Sequence, residues 1–160
     1  MGVAGVGKST IARRLADELG LELAEGDDFH PPANIAKMSS GQPLTDEDRW
    51  PWLEALADWT AQRQAAGQST VLTCSALRKA YRDILRRADQ GTFFVHLYGD
   101  EDLLRKRMES RRHFMPASLL RSQFDTLEPL EPEESGVAVD TALSVREVAE
   151  RVKAALRSVP

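Results

Sequence analysis

Apolar residues along this 160-residue chain follow two rhythms in turn. Ile11, Leu15 and Leu19 recur at helical spacing with Ala12 and Ala16 beside them, and Gly20 supplies the stop. Leu21 to Glu25 then alternates between glycines and predicts a strand. Residues 33–67 read as mostly helical, broken at Ser39-Ser40-Gly41-Gln42-Pro43. Thr45 is a candidate N-cap with acids in the turn that follows, while Pro51 requires either a kink or a second start. Beyond it Trp52, Leu56 and Trp59 share a face.

The alternation continues to the end of the chain. Thr70–Cys74 predicts a short buried strand, Leu77–Arg87 a helix, Thr92–Tyr98 a strand and Glu101–Ser110 a basic helix. Arg111 to Pro116 breaks the pattern, and Ala117–Asp125 resumes as helix. Glu128–Glu134 carries two prolines and four glutamates and reads as a solvated loop. Gly136–Asp140 is a last strand. Ser144 and Glu147 form a capping box for a helix with Val145, Val148, Val152 and Leu156 turned inward. Strands alternating with helices predict an α/β fold, a three-layer parallel sheet with helices on both faces.

The first residues change the picture. Gly2, Val3, Ala4, Gly5, Val6, Gly7, Lys8 and Ser9, followed by Thr10, match the phosphate-binding pattern Gly-x-x-x-x-Gly-Lys-Ser/Thr. Gly5 and Gly7 lack a Cβ, so their N–H groups can turn inward around an anion. Lys8 is placed to reach β- and γ-phosphates, and Ser9 offers a hydroxyl to Mg²⁺. The helix that starts here adds partial positive charge. A strand is expected before such a loop, at the centre of the sheet, yet only Met1 precedes Gly2. The expected sheet therefore lacks its central N-terminal member.

Composition narrows the class. Apolar residues make up 42% and charged ones 29%, ordinary for one globular domain spanning residues 1–160. A net charge of −4 argues against a general nucleic-acid surface. A single cysteine, Cys74, excludes an intrachain disulfide and suits a reducing cytoplasm. Neither a membrane-spanning run nor a signal peptide is expected. Two acids, Asp27 and Asp28, follow the first strand, where chemistry is usual in an α/β sheet.

The stretch from Gly26 to Trp52 resembles the signature of the gluconate kinases, small phosphate-loop kinases related to shikimate and nucleoside monophosphate kinases. Cys74-Ser75-Ala76-Leu77, Tyr81-Arg82-Asp83, His113-Phe114-Met115-Pro116 and Gln123 to Pro129 extend the resemblance over nearly the whole chain. It implies phosphorylation of D-gluconate at its 6-hydroxyl by ATP with Mg²⁺, and leaves a homodimer open. It also implies a helical substrate-binding insertion at about 30–67 and a lid at about 111–120. The chain departs from the family in having Glu25 before Gly26-Asp27 and a lid apparently one residue shorter before His113.

Under this resemblance Asp27 is the general base or hydroxyl orienter, and it shares Mg²⁺ with Ser9. Asp28 is the alternative. Cys74 lacks the acid that often follows such a strand, which shifts metal support to Ser9 and Asp27. His30 is a candidate for a sugar hydroxyl, and Glu25 for a metal-bound water. A planar arginine fork matches the gluconate carboxylate best, and Arg49 and Arg82 are the candidates. Arg107, Arg111 and Arg112 are candidates for ATP. Trp50, Trp52 and Trp59 are read as core, as are Cys74 and His96. Two other functions stay open beside the gluconate reading: a related kinase for shikimate or a nucleotide, and a nucleotide-dependent switch without a small acceptor.

Overall fold

The computed structural model describes residues 1–110 and 116–159. Helix α1 (Lys8–Leu19) opens directly from the phosphate loop, with Gly7 at its N-cap in a left-handed conformation, φ 100°. Its apolar stripe Ile11, Ala12, Leu15 and Ala16 is buried. Strand β1 (Glu22–Glu25) runs into a 3-10 turn over Gly26–Phe29. Helix α2 (Pro32–Ser39) starts on a proline, whose missing N–H costs nothing at a first turn. Helix α3 (Asp46–Ala65) is continuous. Thr45 and Asp48 close a capping box at its start, and Pro51 is absorbed inside the helix without a second start.

Strand β2 (Thr70–Thr73), helix α4 (Lys79–Ala88), strand β3 (Phe94–Tyr98) and helix α5 (Glu101–Glu109) follow in order. A 3-10 turn at Ala117–Leu119 leads into α6 (Leu120–Thr126). Strand β4 (Gly136–Asp140) and helix α7 (Val145–Arg157) complete the described chain. The Ser144–Glu147 capping box is present, with Val148 and Val152 buried. Val145, expected inward, is exposed, because it occupies the first helical position before the stripe turns to the core.

Among the described residues all strands are parallel, as expected, and they form two pairs with the central member missing between them, also as expected. β1 pairs with β2, and β3 with β4. Met1 stands between the pairs as a one-residue strand. Its nitrogen donates to the Val95 carbonyl at 2.5 Å, and its carbonyl accepts from Leu97 N–H at 3.0 Å, the bonds of a parallel ladder across His96. Gly2 N–H donates to the Ser75 carbonyl just past β2. Beyond Met1 the gap between β2 and β3 is a cavity of about 420 Å³. Helices α1 and α7 line it, as do residues of α3 and α4 such as Thr60 and Leu85.

The core joins Leu53 and Leu56 of α3, Leu77, Tyr81 and Leu85 around α4, Leu97 of β3, Leu104 of α5 and Val152 of α7. No helix among the described residues is long and apolar enough to cross a membrane. The Glu128–Glu134 segment departs from its expected solvated character at its last residue. Glu134 is buried and takes the guanidinium of Arg82 in a two-bond fork, at 2.7 and 2.8 Å.

Candidate active site

The loop from Gly2 to Gly7 places its backbone in front of α1, and Gly5 and Gly7 both take positive φ. Lys8 is held inward, its ammonium donating to the carbonyls of Gly2 at 2.9 Å and Val3 at 3.0 Å. Burial pushes its pKa down, opposed by the nearby carboxylates of Asp27 and Glu25. A desolvated cation on a cradle of loop groups is prepared for an anion, since its attraction grows as water is excluded.

Opposite the loop stands the end of β1. Gly26 approaches β2 so closely that a Cβ there would lie 2.1 Å from the Thr73 carbonyl, so the turn that presents Asp27 requires glycine. Gly26 N–H donates to Thr73 Oγ1 at 3.0 Å. The Thr73 hydroxyl donates to Glu25 at 2.7 Å, and the Ser9 hydroxyl donates to the same Glu25 oxygen at 2.9 Å. Ser9 and Asp27 are hard oxygen groups near a phosphate cradle. Together with Glu25 they suit Mg²⁺, which is usually held by one or two carboxylates plus water and phosphates.

A cavity of about 150 Å³ joins these parts. Gly5, Gly7, Lys8, Ser9 and Thr10 line one side, and Asp27, His30, Arg49 and Trp52 the other. Asp27 is the more open of the groups, its side chain 55% exposed. His30 is buried and stacks on Trp52 with ring centres 4.1 Å apart. Trp52 is fixed in turn by donating to the Gly26 carbonyl at 2.7 Å. Asn34 approaches His30 Nδ1 at 3.3 Å while donating to the Asp48 carbonyl. With the carboxamide as donor, Nδ1 accepts and the ring proton sits on Nε2, 3.9 Å from Asp27. Burial, with Arg49 adding, lowers the His30 pKa to about 4 against the pull of Asp27, so the ring is neutral at pH 7.

Arg49 joins the cavity wall, its side chain 12% exposed. Arg107 reaches the phosphate side while tethered to Thr141 through contacts of 3.3 and 3.5 Å. Arg82 does not join. It is fully buried, binds Glu134, and donates to the carbonyls of Ala76, Leu77, Glu128 and Pro129. Every face of its guanidinium is taken, so the expectation that it reads a substrate carboxylate is corrected: Arg82 is a structural clamp. Arg111, Arg112 and His113 of the expected lid lie outside the described residues.

Cys74 is buried, and burial raises its thiol to about 11, which leaves it inert. His96 is also buried and neutral, its pKa lowered to about 4 chiefly by burial. Sequence reasoning missed Thr73, Asn34 and Gln123. The Gln123 carboxamide oxygen accepts from the loop N–H of Ala4 at 2.7 Å, across 119 residues. Its place in the Gln123 to Pro129 motif was the available signal.

A glycine-shaped loop that begins a helix, facing an acid on the neighbouring strand end, receives nucleotide phosphates beside an acceptor; the class is that of the phosphate-loop kinases. Residues 1–130 match a family model described as an AAA domain. A gluconokinase from Gluconobacter oxydans (strain 621H) is 54% identical over 129 residues, covering 80% of this chain and 72% of that protein. Among solved structures, a sugar kinase from Janibacter sp. HTCC2649 is 53% identical with a TM-score of 0.94, over 100% of this chain and 93% of that one. A gluconokinase from Sinorhizobium meliloti 1021 is 45% identical with a TM-score of 0.85, over 98% and 89%. The chain belongs to the gluconokinase family.

Proposed function

We propose that this chain transfers the γ-phosphoryl group of ATP to the 6-hydroxyl of D-gluconate, releasing ADP and 6-phospho-D-gluconate. The observation that carries the reading is that Asp27, His30 and Arg49 open onto the same cavity as Lys8 and the phosphate loop. The family membership points to the same acceptor. Residues 30–67, with α2 and α3, form the acceptor wall.

In this reading the loop N–H groups and Lys8 hold the phosphates, Lys8 exchanging its two carbonyl contacts for phosphate oxygens. Ser9 and Asp27, with Glu25 behind Ser9, would hold Mg²⁺, which when bound supplies charge neutralisation at the β- and γ-phosphates. Arg107 adds charge at the nucleotide end. Arg49 meets the carboxylate of gluconate, and His30 offers Nε2–H to a hydroxyl. Asp27 orients the 6-hydroxyl and takes its proton as the new P–O bond forms and the bond to the β-phosphate oxygen breaks. Phosphoryl transfer asks mainly for this positioning and charge, with little covalent work by the protein. A reducing compartment supplied with ATP, such as the cytosol, suits the reaction and the free thiol of Cys74.

The test is Asp27→Asn beside Asp28→Asn. Asp27→Asn keeps the shape and removes the charge, so gluconate-dependent turnover should fall by about 10²–10⁴ while ATP binding changes less. Full turnover in Asp27→Asn with loss in Asp28→Asn would move the role by one residue. Full turnover in both would remove this strand end from the chemistry.

A further inference from the structure

Arg49 is held in an unusual way. It sits in the first turns of α3, three residues after Asp46, a spacing at which a helix normally closes a direct ion pair. Here the ion pair is a long one: the nearest Arg49–Asp46 approach is 3.8 Å, with no direct hydrogen bond between them. The Tyr81 hydroxyl stands between them. It donates to Asp46 Oδ1 and accepts from Arg49 Nη1 at 3.0 Å. Arg78 Nη1 donates to both Asp46 oxygens, to Oδ2 at 3.2 Å and more weakly to Oδ1 at 3.5 Å.

Tyr81 is itself immobilised. It is 1% exposed in the core, on the inner face of α4, with the edge of Trp50 against its ring and the Arg49 guanidinium 5.4 Å above it. Burial and the Asp46 bond raise its pKa, which keeps the phenol protonated and able to donate. Arg49 spends only Nη1 on protein hydrogen bonds among the described residues, which leaves Nε and Nη2 for a ligand.

We infer that the Tyr81 hydroxyl is a positioning group that keeps Asp46 from capturing Arg49, so that the guanidinium stays open for the carboxylate of the acceptor. This rests on the reading of Arg49 as the carboxylate-binding group. The hydroxyl fills the Asp46 lone pair that Arg49 would otherwise take, and it fixes the guanidinium from one side. Without it, Asp46 closes the short step to Arg49. An internal carboxylate then competes with the substrate carboxylate for the same fork. Asp46 and Tyr81 thus set acceptor affinity without touching the acceptor.

The experiment measures KM for gluconate, KM for ATP and kcat on Arg49→Met, Tyr81→Phe and Tyr81→Phe with Asp46→Asn, each checked for folding by its thermal melt. Tyr81→Phe should raise KM for gluconate about tenfold, the scale of one hydrogen bond to a charged group, with kcat and KM for ATP within about twofold. Adding Asp46→Asn removes the competing charge and should bring KM for gluconate most of the way back. A packing role for Tyr81 would not be repaired by a second substitution. If Arg49→Met raises KM for gluconate but Tyr81→Phe leaves it unchanged, or if Asp46→Asn gives no rescue, the positioning role is overturned. If Arg49→Met itself leaves KM for gluconate unchanged, the underlying reading of Arg49 has failed instead.

Discussion

Truncating Arg82 to methionine separates a clamp from a substrate-binding arginine. In the folded chain its guanidinium makes six hydrogen bonds, two to Glu134 and one each to the carbonyls of Ala76, Leu77, Glu128 and Pro129. Methionine fills much of the volume but leaves Glu134 buried with Arg86 at 3.1 Å as its remaining cation. Breaking one side of a buried pair costs about 3–5 kcal/mol. Arg82 foremost, with the Glu131 N–H and Arg86 adding and burial opposing, lowers the Glu134 pKa from 4.5 to about 2. A depressed carboxylate contributes fully above about pH 4.5 and loses its contribution as pH falls toward 2. Arg82→Met should therefore melt about 6–20 °C lower near pH 7, with the gap to the parent chain narrowing in acid. Thermal melts by circular dichroism at pH 7 and pH 3 read both effects. The clamp also holds Ala76, whose φ of 44° is a left-handed strain just before Leu77 and the cavity wall. A variant that melts like the parent yet has lost gluconate affinity would refute this reasoning and return Arg82 to the substrate.

Lys8→Ala removes one preorganised cation and should lower kcat by about 10²–10³ in steady-state assays; near-normal turnover would take Lys8 out of the mechanism. Five apolar residues joined before Met1 should enter the cavity between β2 and β3, pair with both strands and raise the melting temperature. Equal melting of the extended and unextended chains would count against this. His30 should titrate near pH 4 by NMR, since burial disfavours its charged form; a midpoint above 6 would show an open or carboxylate-paired ring.

Much of this arrangement was legible from local signals. The phosphate loop is a contiguous motif whose glycines have a backbone reason, and α1 follows from the Ile11–Leu15 stripe. Thr45 and Ser144 announced their helices because a cap and its partner lie three residues apart. Asp27, His30 and Arg49 were found through the family signature and do share one cavity. What escaped depends on distance along the chain. Glu134 looked solvated among prolines and acids, and only the fold brings it to Arg82, 52 residues away. Thr73 gains meaning only when β2 pairs with β1 and its hydroxyl meets Glu25. Tyr81 lies 35 residues from Asp46, so periodicity could mark it as core but not as the partner of a charged pair. The gap between the two parallel pairs, by contrast, was expected from the strand missing ahead of the phosphate loop.

The most direct measurement is ADP release by the purified chain with ATP and Mg²⁺ across a panel of acceptors: D-gluconate, shikimate, a nucleoside monophosphate and none. Turnover should depend on D-gluconate, and ³¹P NMR of the product should place the new phosphate ester on the 6-oxygen. ADP release that is the same without acceptor, or that follows shikimate or the nucleotide instead of gluconate, would contradict the assignment.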